Sequence, residues 1–211
     1  MLASNRLQFR HPCNVDPQPR TALLLPGFKR TGAARIFSPV PGSEVWLDQL
    51  RKYAPVSLAG SLRQLLYIAS MRASYGDSLD CITHSLVVIF QAEQPWLSDR
   101  DRDELWDAFG LPVYEQIYCA SGLLASECEA HDGLHTAKGA EWTTSYDGEL
   151  WFREPAAWWE ERGEAYAPTG LFGRVNIAPC ACGRKTSRIH VLGPGAAVLA
   201  IEDQSAFAEV A

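Results

Sequence analysis

The sequence predicts an α/β layer fold. Its 211 residues suit one domain, since globular domains usually contain roughly 100 to 200 residues and bury a sizeable core at that length. Hydrophobic residues make up 47% of the chain and charged residues 21%, which are ordinary values for a globular protein. From Thr21 onward, short apolar runs alternate with amphipathic stretches, a pattern typical of strands that are connected through helices.

The first half of the chain supplies these strands and helices in turn. Residues 1–20 contain three prolines and no apolar period, so they are predicted to form an N-terminal arm. Apolar residues at helical spacing predict one helix that is capped by Ser43 and ends at Pro55, and a second helix from Ser61. Apolar runs predict buried strands at 22–25, 35–37, 79–83, 87–90 and 112–118.

The clearest helix signal lies between Ser98 and Gly110. Ser98 is a suitable N-cap, and aspartates follow in the first turn, where the helix dipole favours negative charge. Leu105, Trp106 and Phe109 are predicted to form its core face, and Gly110 is a typical residue beyond a helix C-terminus. After this helix and the strand that follows it, the pattern loosens into loops and short strands, of which 148–152 and 198–201 stand out.

Charge and cysteine content exclude some classes of function. The formal net charge of −6 argues against nucleic acid as a partner, because phosphate binding needs clustered lysine and arginine. The longest apolar runs are shorter than the roughly 18 residues that would span a membrane. The N-terminal residues show no secretory pattern, so we expect a cytoplasmic protein whose six cysteines are thiols or metal ligands.

Three cysteines and a histidine form a candidate metal site. Cys128 and His135 lie seven residues apart, and Cys180 and Cys182 flank one alanine. A Cys3His set suits tetrahedral zinc, and four protein ligands leave no open position, which indicates a structural role. Gly183 would let the backbone turn so that amides point at sulfur.

Two alternatives to this ligand set remain open on spacing alone. Scattered buried thiols are common, and one C-x-C pair is less diagnostic of zinc than two C-x2-C pairs. His131, three residues after Cys128, is a competing ligand, although a solvated loop histidine is the more ordinary interpretation of this residue.

Several short motifs occur in an order that one enzyme family shows. They are Ala92-Glu93 with the helix after it, the strand that leads to Tyr118, and the runs Glu127-Cys128, Gly133-Leu134-His135, Gly148-Glu149-Leu150 and Cys180-Ala181-Cys182-Gly183-Arg184. Together they resemble the phenylacetate-CoA ligase branch of the adenylate-forming superfamily, including its coenzyme F390 synthetase-like relatives. The resemblance covers about residues 20–193. It implies that the four ligands hold zinc, and it favours His135 over His131.

The nucleotide motifs of that family are incomplete in this chain. After the motif tyrosine Tyr118 the resemblance implies a magnesium-binding acid, but Gly122 stands near that place. Where it implies an aspartate for the ribose, the chain has Leu171. The phosphate loop, the hinge and the domain that carries the catalytic lysine are also missing from the pattern. We therefore expect a degenerate relative, truncated at both ends, that has lost carboxylate activation and whose binding of ATP or AMP is in doubt.

The combined prediction is a single α/β domain over residues 21–205. A doubly wound, mostly parallel sheet is expected to span roughly 21–119, and a smaller zinc-stapled β-rich region 121–193. The predicted function is that of a zinc-binding protein that acts as a binding or assembly partner. Its expected partners are a second copy of the chain or a ligase-pathway protein, with an aromatic or acyl small molecule as a further candidate ligand.

Two other functions were weighed. The first is an acid-CoA ligase component that is active only with a partner chain. The second is an enzyme of different chemistry, in which Cys119 or Cys128 acts as nucleophile near His84 or His131, or in which zinc is catalytic. The sequence offers no orienting motif for such a dyad.

Overall fold

The computed structural model describes residues 7–13, 15–39, 45–75, 79–91, 94–120, 122–153 and 166–194. The chain divides into two compact units, Met1–Glu129 and Ala130–Ala211. The predicted domain limits, 21–205 with a subregion at 121–193, remain predictions. In the described part of the chain, no helix is both long and apolar enough to cross a membrane.

The first unit is built on a mostly parallel sheet, as predicted. Its described strands are β1 (Thr21–Leu23), β2 (Ala34–Ile36), β3 (Ser57–Gly60), β4 (Ser85–Phe90), β5 (Val113–Cys119) and β6 (Gly122–Ser126). They are ordered β2-β1-β3-β4-β5-β6. The first five in this order are parallel, and β6 returns antiparallel to β5. The described helices are α1 (Val45–Tyr53), α2 (Leu62–Tyr75) and α3 (Asp99–Phe109).

All three described helices pack on one face of this sheet. Successive residues of β4 alternate between the faces: Leu86 belongs to the apolar cluster that contains the helices, and Val87 belongs to the opposite cluster. The helices contribute Leu50, Leu65 and Leu105 to the first cluster. The predicted doubly wound arrangement is therefore not found among the described residues. The reason is the β1–β2 connection, residues 24–33, which is a loop and supplies no helix to the other face.

The N-terminal segment covers that other face instead. Leu7 forms a parallel bridge with Phe28, and Phe9 is buried in the same cluster. His11 and Cys13 are also buried, so residues 7–13 of the predicted arm are packed against the unit. Burial lowers the pKa of His11 to about 4, and its ring is neutral near pH 7.

The caps of α3 confirm the clearest helix prediction, but the predicted place of Trp106 on the core face is wrong, since its side chain is 54% exposed and only Leu105 and Phe109 of that set are buried. The Ser98 hydroxyl accepts a hydrogen bond from the Asp101 amide at 3.2 Å, and the Asp101 carboxylate accepts one from the Ser98 amide at 3.2 Å. This is a capping box. Gly110 has φ 65° and ends the helix by donating to the Trp106 carbonyl.

The predicted strand at 79–83 is wrong. The segment makes a turn in which the Ile82 amide donates to the Leu79 carbonyl at 3.0 Å. Both side chains are buried in the helix-bearing cluster, so the apolar run reflects burial without strand geometry. The turn leads the chain from α2 toward β4.

The second unit is more regular than the sequence pattern indicates. Its described strands are β7 (Leu134–Thr136), β8 (Glu141–Thr144), β9 (Glu149–Arg153), β10 (Ala167–Asn176) and β11 (Arg188–Pro194). Their order is β7-β11-β10-β9-β8 with antiparallel pairs. The predicted strand at 148–152 corresponds to β9, and the one at 198–201 lies outside the described residues.

Candidate metal centre

The structure brings the four sequence-predicted ligands together. Cys128 follows β6, His135 lies in β7, and Cys180 and Cys182 lie in the connection between β10 and β11. One ligand atom from each residue lies within 4.8 Å of the others. Cys182 is partly exposed and the other three are buried. This group of thiols and imidazole could hold a metal ion.

The sulfur–nitrogen distance between two members of the group suits tetrahedral zinc. The sulfur of Cys182 lies 3.3 Å from Nε2 of His135. With Zn–S near 2.3 Å and Zn–N near 2.0–2.1 Å, a sulfur and a nitrogen on one tetrahedral zinc are about 3.5 Å apart. The other ring nitrogen of His135, Nδ1, lies 3.0 Å from the Thr186 hydroxyl, which would orient the ring as outer partners of zinc ligands do.

The electrostatic surroundings keep His135 neutral. Burial lowers the pKa of His135, and the cationic side chains of Arg184 and Arg188 lower it further. A metal-binding imidazole must be deprotonated at the nitrogen that binds. The environment therefore favours the form of the ring that can accept a cation.

The turn that carries two of the thiols contains the expected glycine. Gly183 has φ 82°, a conformation that residues with a Cβ rarely adopt. Its amide donates to the Cys180 carbonyl at 3.0 Å. The prediction of a backbone turn at Gly183 is confirmed, and its amide donates to the carbonyl oxygen of a cysteine.

A buried arginine, which the sequence analysis did not identify, holds the two loops of the site. Arg188 is 2% exposed and pairs with the carboxylate of Asp132. It also donates to the carbonyls of Asp132 at 2.9 Å and Ala178 at 3.1 Å. Asp132 lies three residues before His135, and Ala178 lies two residues before Cys180. Arg188 thus links the segment that carries the imidazole to the segment that carries two thiols.

Gly133 permits the close contact between β7 and β11. It has φ 78°, and a Cβ at this position would lie 2.8 Å from the Ile189 carbonyl oxygen. A side chain here would push the two strands apart. The glycine of the Gly-Leu-His run therefore has a steric reason that is separate from metal binding.

The competing ligand and one of the two suggested nucleophiles, Cys119, lie elsewhere, whereas the other, Cys128, belongs to the group. His131 is exposed with φ 49° and is not part of the four-residue group. The sulfur of Cys119 lies 3.6 Å from the Gly122 carbonyl, while His84 lies beside the hydroxyls of Ser57 and Ser85.

The nucleotide-motif positions are packed or lack an acid. Tyr118 is 2% exposed, its ring contacts Phe28 edge to face at 5.1 Å, and its hydroxyl is 3.4 Å from the Gln8 carbonyl. Gly122 pairs with β5, and Leu171 is 2% exposed. The predicted Ala92-Glu93 motif lies outside the described residues.

Two buried carboxylates form a second feature that sequence reasoning missed. The Glu127 carboxylate accepts a hydrogen bond from the Glu115 amide at 2.9 Å. Arg102 lies 2.9 Å from the Glu115 carboxylate and 3.7 Å from that of Glu127. The pKa of Glu115 is raised to about 8: burial is the largest cause, the charge of Glu127 adds to it, and Arg102 opposes both. The glutamate before Cys128 therefore anchors β6 to β5.

Comparison with known proteins shows similarity at the level of structure. No protein-family model matches the sequence, and no curated protein sequence matches it. A 2-hydroxyisobutyryl-CoA ligase in complex with 2-HIB-AMP and CoA has a TM-score of 0.63 at 15% identity, over 87% of this chain and 45% of that chain. An acyl-CoA synthetase (AMP-forming)/AMP-acid ligase II-like protein from Dyadobacter fermentans has a TM-score of 0.51 at 13% identity, over 83% and 49%.

A third structure extends this similarity to a ligase for an aromatic acid. An anthranilate CoA ligase in complex with anthranoyl-AMP has a TM-score of 0.52 at 14% identity, over 84% of this chain and 40% of that one. This chain spans less than half the length of each of the three structures. It therefore has the fold of part of an adenylate-forming acyl-CoA ligase.

Proposed function

We propose that this chain is a zinc-holding protein with an adenylate-forming ligase fold that does not activate carboxylates and acts as a binding or assembly partner. The observation that carries the proposal is that the metal-binding motifs are complete, whereas the nucleotide-binding motifs are not. The four metal ligands lie together, whereas Gly122 and Leu171 stand where the resemblance implies acids.

A structural zinc ion is supported by the number and type of ligands. Three thiolates and one imidazole complete a tetrahedral shell and leave no position for water or substrate. Thiolate ligands also suit a reducing compartment, and we propose the cytoplasm. In this role the metal stabilises the loops around His135 and Cys180, because binding is coupled to folding.

Loss of ATP chemistry is supported by the residues at the nucleotide-motif positions. Phosphoryl displacement depends on magnesium and on positioned charges that neutralise the transition state. Gly122 offers no side-chain ligand to magnesium, and Leu171 offers no acceptor to ribose hydroxyls. The hydroxyl of Tyr118 faces the Gln8 carbonyl of the N-terminal segment.

We propose a second copy of this chain as the first partner to test. Large apolar side chains are exposed on the second unit: Ile177 is 88% exposed and Leu192 63%. Burying such side chains is the ordinary driving force of homodimer formation. Sedimentation velocity at micromolar concentration should show a dimer that Leu192→Ser weakens, and a strict monomer would refute this partner.

The main experiment is isothermal titration of the zinc-loaded protein with magnesium-ATP and with AMP, combined with zinc analysis of the same sample. We expect at least one zinc per chain, one of them held by the Cys3His group, and no heat of nucleotide binding. Titration of a sample stripped of zinc serves as the control. Saturable nucleotide binding would contradict the proposal.

Such binding would favour the alternative function, an acid-CoA ligase component that acts with a partner chain. The observation behind this alternative is the fold, since the similar structures are ligases that hold acyl adenylates. A protein without zinc that still melts as one cooperative unit would contradict the metal part of the proposal.

A further inference from the structure

A second group of metal-ligand side chains lies within the first unit. His11 and Cys13 come from the N-terminal segment, and His84 directly precedes β4. One ligand atom from each lies within 4.8 Å of the others. His11 and Cys13 are 7% and 4% exposed, and His84 is partly buried. Two imidazoles and a thiol thus meet where water has little access.

A serine hydroxyl organises the two rings. The hydroxyl oxygen of Ser85 lies 2.9 Å from Nε2 of His11 and 3.1 Å from Nδ1 of His84. Ser57 supports it, with the two hydroxyl oxygens 3.0 Å apart. The ring centroids are 5.1 Å apart and the ring planes are at 76°. One nitrogen of each ring is therefore engaged by Ser85, which is the arrangement that outer partners impose on metal-binding histidines.

The nitrogens on the far side of the rings from Ser85, Nδ1 of His11 and Nε2 of His84, would then be the ones to bind an ion. Nδ1 of His11 accepts a long hydrogen bond from the Cys13 amide, at 3.2 Å, and binding would exchange that bond for a metal ligand bond. The side chain of Cys13 is hydrogen-bonded to that of Tyr114, a second outer partner for the thiol. Each of the three candidate ligands therefore already has a supporting hydrogen-bond partner, Ser85 for the two histidines and Tyr114 for the thiol.

We propose that His11, Cys13 and His84 form a second metal site for a zinc-class cation. Thiolate and imidazole ligands select zinc, cobalt or copper ions, whereas magnesium and calcium prefer oxygen. Three protein ligands leave one tetrahedral position for water or another exchangeable ligand. In this respect the site differs from the Cys3His group, whose four ligands close the shell.

The second site would join the N-terminal segment to the residue that directly precedes β4. His11 and Cys13 lie in the segment that covers the helix-free face, and His84 lies next to a central strand. A bound ion would fix this cover in place. The proposal does not depend on the Cys3His group or on the function proposed above, since the two ligand sets share no residue.

The test is a count of metal ions, supported by cobalt spectra. The protein is stripped of metal, titrated with Zn²⁺ or Co²⁺, and assayed for bound ions per chain. We expect two ions in the wild type and one in both Cys13→Ser and His84→Ala, with loss of one thiolate-to-cobalt absorption component only in Cys13→Ser. Cys180→Ser should also bind one ion, but the remaining ion should be lost when His84→Ala is added.

Controls separate metal binding from folding. Cys81→Ser, a thiol variant in the same unit but outside the group, should keep two ions. Circular dichroism checks that each variant folds, and His84→Ala decides the question if Cys13→Ser does not. Ser85→Ala, which removes only an outer partner of the histidines, should lower the affinity of the second site for its ion by about 10- to 100-fold. One ion per wild-type chain, unchanged in His84→Ala, would overturn the proposal.

Discussion

The interactions that stabilise the first unit internally differ from those that stabilise the second. The first has apolar clusters on both faces of a parallel sheet. In the second, the buried apolar side chains among the described residues, apart from the candidate ligand Cys180, are Leu134, Ala140, Leu150, Leu171 and Ile189. A fully buried leucine contributes about 1.5–3 kcal/mol, so few such residues give little stability. Polar contacts such as those of Arg188 therefore matter more in the second unit, and so would a metal ion in the proposed Cys3His site.

Removal of the metal should have the largest effect and should act on the second unit. A structural zinc ion contributes on the order of 10 kcal/mol to its folded site at neutral pH. Chelation, or Cys182→Ser, should release hydrogen-exchange protection in β7, β10 and β11 while β3 to β5 keep theirs. The measurement is hydrogen–deuterium exchange by mass spectrometry. Equal loss in both groups of strands would contradict the comparison, and Cys81→Ser is the thiol control.

Loss of the buried arginine should come next. Arg188→Ala removes hydrogen bonds to two carbonyls and a pairing with Asp132, and should lower the free energy of unfolding of the second unit by about 2–3 kcal/mol. Arg188→Ala should also lower the affinity for zinc, because it removes the link between the two segments that carry the ligands. Arg153→Ala breaks a more exposed pair with Glu141 and should cost less than about 1 kcal/mol. Chemical denaturation and zinc competition would measure both, and equal effects would refute this role.

The first unit should show a pH dependence that comes from Glu115. Its pKa is raised to about 8 in the folded state, so the folded protein binds a proton that the unfolded chain has released above about pH 4.5. Its contribution to stability is complete below that pH and is lost as the pH rises through about 8. The slope is at most about 1.4 kcal/mol per pH unit.

Glu115→Gln should remove this slope. Urea denaturation of the wild type and the variant at pH 5, 6, 7 and 8, with zinc in excess, isolates the difference because zinc-linked effects are common to both. A difference in unfolding free energy that is constant over this range would contradict the assignment.

The smallest expected effect is the loss of a helix cap in the first unit. Ser98→Ala removes the capping box of α3 and should cost about 1 kcal/mol. Ser70→Ala, an exposed position within α2, should be neutral or slightly stabilising because alanine has the higher helix propensity. Thermal unfolding of the two variants measures this, and a larger loss in Ser70→Ala would show that the cap has no role.

Sequence reasoning succeeded where the signal was local. The start and end of α3 follow from Ser98 and Gly110, whose roles need only neighbouring residues. The metal group was assembled from motif resemblance, because cysteine and histidine are rare enough that their order along the chain carries information. Strand β3 was missed, since Ser57–Gly60 is short and contains no β-branched residue.

The remaining features depend on contacts between distant residues. The strands of the second unit contain residues that are unfavourable in strands, such as Gly173, whose Cβ would lie 2.1 Å from the His190 carbonyl oxygen. From the sequence, Arg188 looks like an ordinary surface arginine, because its partners Asp132 and Ala178 are distant in the chain. His11 and His84 are 73 positions apart in the chain, and no local pattern indicates that they meet.

The cover of the helix-free face has a practical consequence for anyone who shortens this protein. A chain that begins at Thr21, the first strand residue, would lose Leu7 and Phe9 from the cluster that contains Val87 and Ile89. Apolar surface of this kind promotes aggregation when it is left uncovered. Affinity tags and cleavage sites therefore belong ahead of Leu7, so that the segment keeps its place on the sheet.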